Sequence, residues 1–483
     1  MKLEFVYDTI ARKPKIISEY LKQIREYFSV EDKALVFMQK RTGRRGMPVR
    51  KYVISDKGHF ELPFFRTLYT TILEKFPALQ ISVADNLISK IEYNTIAARP
   101  IELNYQHKPR DYQIESATKA LNIGSGIIVL PTSAGKTLTI ALIVATILEA
   151  KPGNNILIIV PNIQLVQQTY QDFIEYGLDE KHITRWTGDF EYKHAKIVIA
   201  NNHILLSKSQ DKEVLNLFNV LICDECHKIG TADKITKLLK SLKFEHMFGF
   251  TGSMPENNFH VWNINRVFGS IIYHKQSVEL RENKFISKVR VVGIELTYKQ
   301  IPIFTRPSMA DPTAGYVEEA EWLHSNNFRN STIAKLVDKL ETNTLILVDR
   351  IIHGEILLKC LKQNTTKQIY FIQGSVELQE REQMRALMEQ TSGVVCIAIS
   401  NIFSTGISIK NLHNVIFASI GKARTKIIQS IGRSLRLHHT KEIATIFDIA
   451  DTCLIYGYKH YEERKRLYES ENIPLVTKHL VEI

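Results

Sequence analysis

The stretch LPTSAGKT, residues 130–137, ends in the Gly-Lys-Thr of a phosphate-binding loop and follows an apolar run, GIIVL, that reads as a strand. Backbone N–H groups leaving such a strand point into one concavity where a helix begins, and both the concavity and the helix dipole favour anionic oxygens. Lys136 is then placed for β- and γ-phosphates and the Thr137 hydroxyl for Mg²⁺, while Pro131, Thr132, Ser133, Ala134 and Gly135 line the turn. Leu130 and Ser133 stand where glycine would be easier, so the loop needs partners that supply a metal carboxylate and a water-positioning base.

VLICDECHK supplies them, because an apolar strand runs directly into Asp224-Glu225. Asp224 can hold the Mg²⁺ shell while Glu225 orients an attacking water. The same residues spell Cys223-x-x-Cys226-His227, the spacing of haem attachment, and Cys-x-x-Cys also fits redox or half-zinc patterns. Haem attachment of that kind needs export. No second Cys or His pair at zinc spacing lies nearby, and two acids between the cysteines argue against a redox pair.

Two more blocks fit phosphoryl transfer. QSIGRSLR spaces Gln429, Arg433 and Arg436 by four and three residues, one face of a helix, and planar cations there suit the charge on a transferring γ-phosphoryl group. KPRDYQ sets Tyr112 and Gln113 shortly before the loop, where a carboxamide can pair with adenine N6 and N7.

Such residues need a scaffold. From residue 110, β-branched runs alternate with amphipathic helical stretches: GIIVL, NILIIVP, KIVIA and VLICDE, then TLILVD, QIYFIQG, GVVCIAIS, NVIFAS and ATIFDIA. That rhythm predicts an α/β chain with two tandem parallel-sheet domains, 99–285 and 286–483, and a seam near 283–290 where ENKFISKVRVVGIEL breaks the pattern. Residues 1–98 do not alternate this way and read as a small α+β module. Three folding units also suit a length of 483 residues.

Composition excludes other classes. With 44% apolar and 24% charged residues the chain is globular rather than disordered or fibrous. Neither an apolar leader core nor an 18-residue apolar span is present, and five scattered cysteines make no disulfide framework, so a soluble intracellular protein is expected. The net charge is +12, and residues 1–100 hold 18 Lys/Arg against 11 Asp/Glu. The densest piece, KRTGRRGMPVRK, contains Lys40, Arg41, Arg44, Arg45, Arg50 and Lys51 without an acid. It reads either as a solvated hairpin or as a loop contacting nucleic-acid phosphates through Arg44 and Arg45.

In this order the four blocks resemble a superfamily 2 helicase over roughly residues 105–450. VPNIQLVQQ, with Pro161, Leu165 and Gln168, is similar to motif Ia; Thr251-Gly252-Ser253 to motif III; TLILVDR to the opening of motif IV; and STGIS, from Ser404 and Thr405 to Ser408, to motif V. The resemblance implies two RecA-like motor domains. It puts Gln113 on adenine, Lys136 and Thr137 on phosphates and Mg²⁺, Asp224 and Glu225 on metal and water, and makes Arg433 and Arg436 arginine fingers. Pro161, Asn162, Gln164, Ser404 and Thr405 would grip a strand, and motif III would couple that grip to the γ-phosphate.

Thr-Gly-Ser in place of Ser-Ala-Thr, and the Cys-His tail of motif II, point away from the DEAD-box RNA helicases. LPTSAGK, IFSTGISIKNLHNVI and KIIQSIGRSLR look like the UvsW type of phage recombination helicase. That implies an ATP- and Mg²⁺-dependent enzyme acting on branched DNA, forks and Holliday junctions, in the host cytoplasm and away from membranes; a monomer is compatible with the sequence, which does not fix the oligomeric state. A double-strand translocase that moves without separating strands is the alternative motor. A clamp without hydrolysis would have no use for Lys136, Glu225 and the two arginines.

Overall fold

The computed structural model describes residues 2–32, 36, 39, 49–92, 108–306, 311, 313–373, 378–400, 409–419, 432, 438 and 441–482. The chain divides into two compact units, one of residues Met1–Leu130 with Gly135–His274 and one of Pro131–Ala134 with Lys275–Ile483. Among the described residues no helix is long and apolar enough to cross a membrane.

The first unit is built on a parallel sheet. Across it run Ile271–His274, Ser125–Val129, His246–Thr251, Val220–Cys223, Ile156–Val160, Ile197–Asn201 and Ile183–Trp186. The central strands are buried at nearly every residue, because helices cover both faces of a parallel sheet, and this is why they read as unbroken Ile/Val/Leu runs. The helix Lys136–Ala150 is apolar all round and buried from Leu138 to Ile147. It stops at Lys151, whose successor Pro152 disfavours helical backbone before it.

The helix Ile163–Glu175 is defined at both ends. Asn162 caps its start by accepting the Leu165 N–H at 2.9 Å. Gly177, at φ 92°, ends it: the Leu178 N–H donates to the Phe173 carbonyl and the Gly177 N–H to that of Ile174, both at 3.0 Å.

The described residues between 2 and 92 form the expected small α+β module. Lys2–Asp8 pairs antiparallel with Lys13–Ile17 and parallel with Gln80–Val83, Ser29–Glu31 pairs with Arg50–Tyr52, and the helices include Leu21–Tyr27 and Phe65–Lys75. An aromatic core of Phe5, Phe28, Phe60 and Phe64 continues into Phe259 and Trp262 of the helix Asn258–Phe268, the helix that follows Thr251-Gly252-Ser253. Phe28 and Trp262 lie 5.3 Å apart. Glu61 accepts from Arg266 Nε and Nη2 at 2.7 and 2.8 Å and from Lys240 at 2.5 Å, so this module is fastened to the rest of the first unit through apolar contact and a largely buried ion cluster.

The second unit holds another parallel sheet in the order Ile369–Ile372, Val395–Ile399, Thr344–Val348, Asn414–Phe417, Ile443–Ala450, Lys288–Thr297 and Leu475–Val481. Where the sequence pattern breaks, the chain forms the strand Lys288–Thr297, paired on both sides. Gly293 lies there because a Cβ would come within 2.1 Å of the Tyr461 hydroxyl. The helix Ile455–Ser470 is pinned by Arg464 and Tyr468, which bond the fully buried Asp448 at 2.7–2.8 Å. Arg329, also buried, grips Asp451 at 2.9 and 3.2 Å.

Candidate active site

Three neighbouring strands deliver the chemistry. Ser125–Val129 leads into the phosphate loop, Val220–Cys223 into Asp224-Glu225, and His246–Thr251 runs between them. In a parallel sheet all three end on one edge, which puts these blocks side by side.

The loop explains its own departures from glycine. Leu130 is fully buried and its N–H donates to the Thr251 carbonyl at 3.0 Å, so at this position the chain still pairs as a strand and a large side chain is useful. The left-handed conformations fall instead at Ser133, φ 70°, and Gly135, φ 77°. Serine there costs about 1 kcal/mol. At Gly135 a Cβ would sit 2.4 Å from the Gln113 amide nitrogen, so glycine is required. The turn closes with the Ala134 N–H on the Pro131 carbonyl at 3.1 Å.

Gln113 is buried and its amide bonds the protein. Its oxygen accepts the Arg110 N–H at 2.9 Å, and its nitrogen donates to the Gly135 carbonyl at 3.1 Å. It thus ties the start of the helix Asp111–Ile123 to the last residue of the loop. The buried Tyr112 accepts from Arg110 Nη1 at 3.0 Å.

Lys136 Nζ lies 3.7 Å from Glu225 Oε1 and 3.5 Å from the Leu130 carbonyl. Glu225 has left-handed backbone, φ 51°, which turns its carboxylate back toward the lysine. Asp224 accepts the Glu225 N–H at 2.9 Å, and its own N–H donates to the Ile159 carbonyl at 2.8 Å. The adjacent acids are pushed apart. Burial and the neighbouring Glu225 charge raise the Asp224 carboxyl above its ordinary range. Burial pushes Glu225 the same way, but Lys136 and the His227 ring outweigh it and hold that carboxylate well below its ordinary range.

His227, at the end of the motif II tail, has partners that the sequence did not expose. Its Nδ1 lies 3.2 Å from Glu225 Oε2 and 2.8 Å from the Thr251 hydroxyl, which donates to the Ser253 carbonyl at 2.8 Å. Thr251 therefore touches the phosphate loop through its carbonyl and the acidic pair through its hydroxyl and His227. In the sequence His227 stands out as the end of Cys-x-x-Cys-His and of the motif II tail, without a role. Both cysteines are buried, and burial pushes both thiols up, the reverse of a reactive or metal-binding thiolate.

Thr137 is half-buried in the first turn of the helix after the loop. Among the described residues no cluster of three or more His, Cys, Asp or Glu could hold a metal ion. One carboxylate and one hydroxyl suit Mg²⁺, which keeps several waters and takes substrate phosphate oxygens as ligands.

Of the strand-gripping candidates, Pro161, Asn162 and Gln164 lie together at the C-terminal end of Ile156–Val160, with Asn162 serving as the helix cap. Gln429, Arg433 and Arg436, Ser404 and Thr405, and Arg44 and Arg45 lie outside the described residues. From the same basic run, Arg50 pairs with Glu26 and Lys51 with Asp32, each at 2.9 Å.

Residues 106–256 match the family described as type III restriction enzyme, res subunit, and residues 329–438 match the helicase conserved C-terminal domain. The ATP-dependent DNA helicase uvsW of Enterobacteria phage T4 is 31% identical over 399 residues, covering 78% of this chain and 78% of that protein. This chain belongs to the superfamily 2 helicases. As a member of that superfamily it is an ATP-hydrolysing enzyme. Its fold is also that of the DNA-bound restriction-modification enzyme LlaBIII, with a TM-score of 0.57, 14% identity and coverage of 92% of this chain and 36% of that one. The helicase MrfA bound to DNA has a TM-score of 0.53, 15% identity and coverage of 81% and 59%.

Proposed function

We propose that this helicase is an ATP-driven DNA motor that works on branched DNA, at forks and four-way junctions. The observation that carries the reading is the convergence of Lys136, Asp224 and Glu225 on one sheet edge, with Thr251 bonded to both sides. Support for DNA as substrate comes from the phage relative, a DNA helicase by name, and from the excess of basic residues in the N-terminal hundred.

In this reading Lys136 leaves Glu225 for the phosphates when ATP enters. Glu225 then loses the cation that held its proton affinity down and becomes a better acceptor for the attacking water. Thr137 and Asp224 would hold Mg²⁺, which when bound would supply charge neutralisation on the phosphate oxygens. His227 keeps Glu225 aimed and passes its position to Thr251, so that motif III senses hydrolysis. Gln113 fixes the loop through Gly135; reading adenine would require its carboxamide to exchange a protein bond for a base. Arg433 and Arg436 are assigned to the transition-state charge, with Gln429 on the same face. Pro161, Asn162, Gln164, Ser404 and Thr405 are assigned to the strand, and residues 1–98 with Arg44 and Arg45 to duplex arms at a branch.

The test is ATPase stimulation by single-stranded DNA, duplex, a synthetic fork, a four-way junction and RNA, measured side by side. Fork or junction DNA should rank first; a ranking led by RNA or by plain duplex rejects the reading. The match to a restriction-enzyme family favours a second motor, a double-strand translocase. Triplex displacement without strand displacement would select it.

A further inference from the structure

At the outer edge of the first sheet the strand Ile183–Trp186 runs into a tight turn, closed by the Thr187 N–H on the Phe190 carbonyl at 3.1 Å and the Asp189 N–H on the Thr187 hydroxyl at 3.3 Å. The turn disposes its aromatics unequally. Trp186 is buried and Tyr192 packs on it at 5.1 Å, whereas Phe190 stays 42% exposed. The Arg185 guanidinium lies over the Phe190 ring, 4.0 Å from its centroid, and over the Tyr170 ring at 4.5 Å. Arg185 Nη1 donates to Gln167, and the Tyr170 hydroxyl donates to Glu180 at 2.6 Å, so the cation and the tyrosine are both held from the side.

We propose that the Phe190 face, backed by Arg185 and Tyr170, is a stacking platform for one unpaired base of the DNA strand that this lobe grips. The proposal rests on the DNA-motor reading above. Two observations choose this occupant. The stack is on the strand-gripping edge: Trp186 pairs with Ala200 and Val160 with Asn201, so Thr187 and Pro161 leave parallel strands at the same end. One helix, Ile163–Glu175, carries Gln164 of motif Ia and, in its next turns, the Gln167 and Tyr170 that hold Arg185. The residues around Phe190 are mixed in charge, with Asp189 and Glu191 exposed beside it and Lys193 and His194 exposed after it, so the platform offers a ring face rather than a local positive charge. A partly exposed aromatic ring with a cation against it suits a base of any sequence, because every base offers a π-face.

The experiment compares wild type with Phe190→Leu, which keeps an apolar side chain and removes the π-face. Fluorescence anisotropy reads the affinity for an oligothymidylate and for copies carrying one abasic site, moved along the strand a position at a time. Thermal unfolding midpoints check that the variant is folded. Loss of one stacked base corresponds to about a 10-fold weaker Kd. Wild type should lose about that factor at one abasic position; Phe190→Leu should already have lost it on the intact strand and should lose nothing more at that position. Unchanged affinity of the variant, or losses that multiply at every position, overturns the platform while leaving the motor reading standing. A wild-type protein that binds no single-stranded DNA removes the motor reading and the platform together.

Discussion

Glu225 is held in the one orientation that serves both of its neighbours. Its left-handed backbone, the ammonium of Lys136 at 3.7 Å and the imidazole of His227 at 3.2 Å leave it little freedom. Replacing it by glutamine keeps the shape and removes the base. Glu225→Gln should lower single-turnover hydrolysis at least about 100-fold while a fluorescent nucleotide still binds; a variant that fails to bind nucleotide would assign Glu225 to binding instead. Leu130 makes the opposite point. The general pattern of phosphate loops has glycine there, yet this position is a buried strand end without positive φ. Leu130→Gly should cost about 3 kcal/mol in urea unfolding and give no gain in ATPase, because it empties a core site and loosens backbone that needs no freedom.

The element that joins the N-terminal module to the motor is the helix Asn258–Phe268, through Trp262, Phe259 and Arg266. Burial pushes the Glu61 carboxyl up, but Arg266 and Lys240 outweigh it and hold the group below its ordinary value of 4.5. A carboxyl lowered on folding stabilises the protein fully above its unfolded value and loses that contribution as pH falls through the lowered one. The module's unfolding midpoint should therefore be flat above about pH 5 and drop below about pH 4. Glu61→Ala, which strands two cations in a largely buried site, should cost about 3 kcal/mol at neutral pH and flatten the acid limb. An unaltered acid limb in the variant would place the titrating group elsewhere.

Legibility followed burial at this scale. Ser125–Val129, Ile156–Val160, Ile197–Asn201, Val220–Cys223 and the central strands of the second sheet announce themselves as apolar runs because helices cover both faces. His246–Thr251 was visible only as the Thr-Gly-Ser at its end, since histidine and glycine dilute the run. Lys288–Thr297 alternates exposed and buried residues and so read as an interruption, and Leu475–Val481 is mostly exposed and carries no apolar run. At the site, the phosphate loop and acidic pair were readable from spacing. The bonds from His227 to Thr251 and from Gln113 to Gly135 were not, because they join segments brought together only by sheet order.

For the whole molecule, charge placement sets the expectation. The net charge of +12 is concentrated early in the chain, but Arg50 and Lys51 are already engaged by acids. Of the remaining Lys40, Arg41, Arg44 and Arg45, branch binding is predicted to depend on Arg44 and Arg45. Replacing both with alanine should weaken junction binding about 10-fold at moderate salt and reduce the slope of log Kd against log salt by about 2, while single-strand-stimulated ATPase stays within about 2-fold. Equal losses in both assays would put these arginines on the translocation track rather than on a branch-holding module.

The strand that opens the second unit is enclosed by two strands of much later sequence, Ile443–Ala450 and Leu475–Val481. Ribosomal synthesis therefore imposes a wait: the polypeptide must emerge through Val481 before Lys288–Thr297 gains both neighbours. Until then a β-branched ribbon trails from a finished nucleotide lobe, able to pair with nascent copies on the same messenger. Cells making this protein quickly would need either slow elongation or a holding chaperone, and a chain cut short before Leu475 would aggregate rather than become a weakened motor.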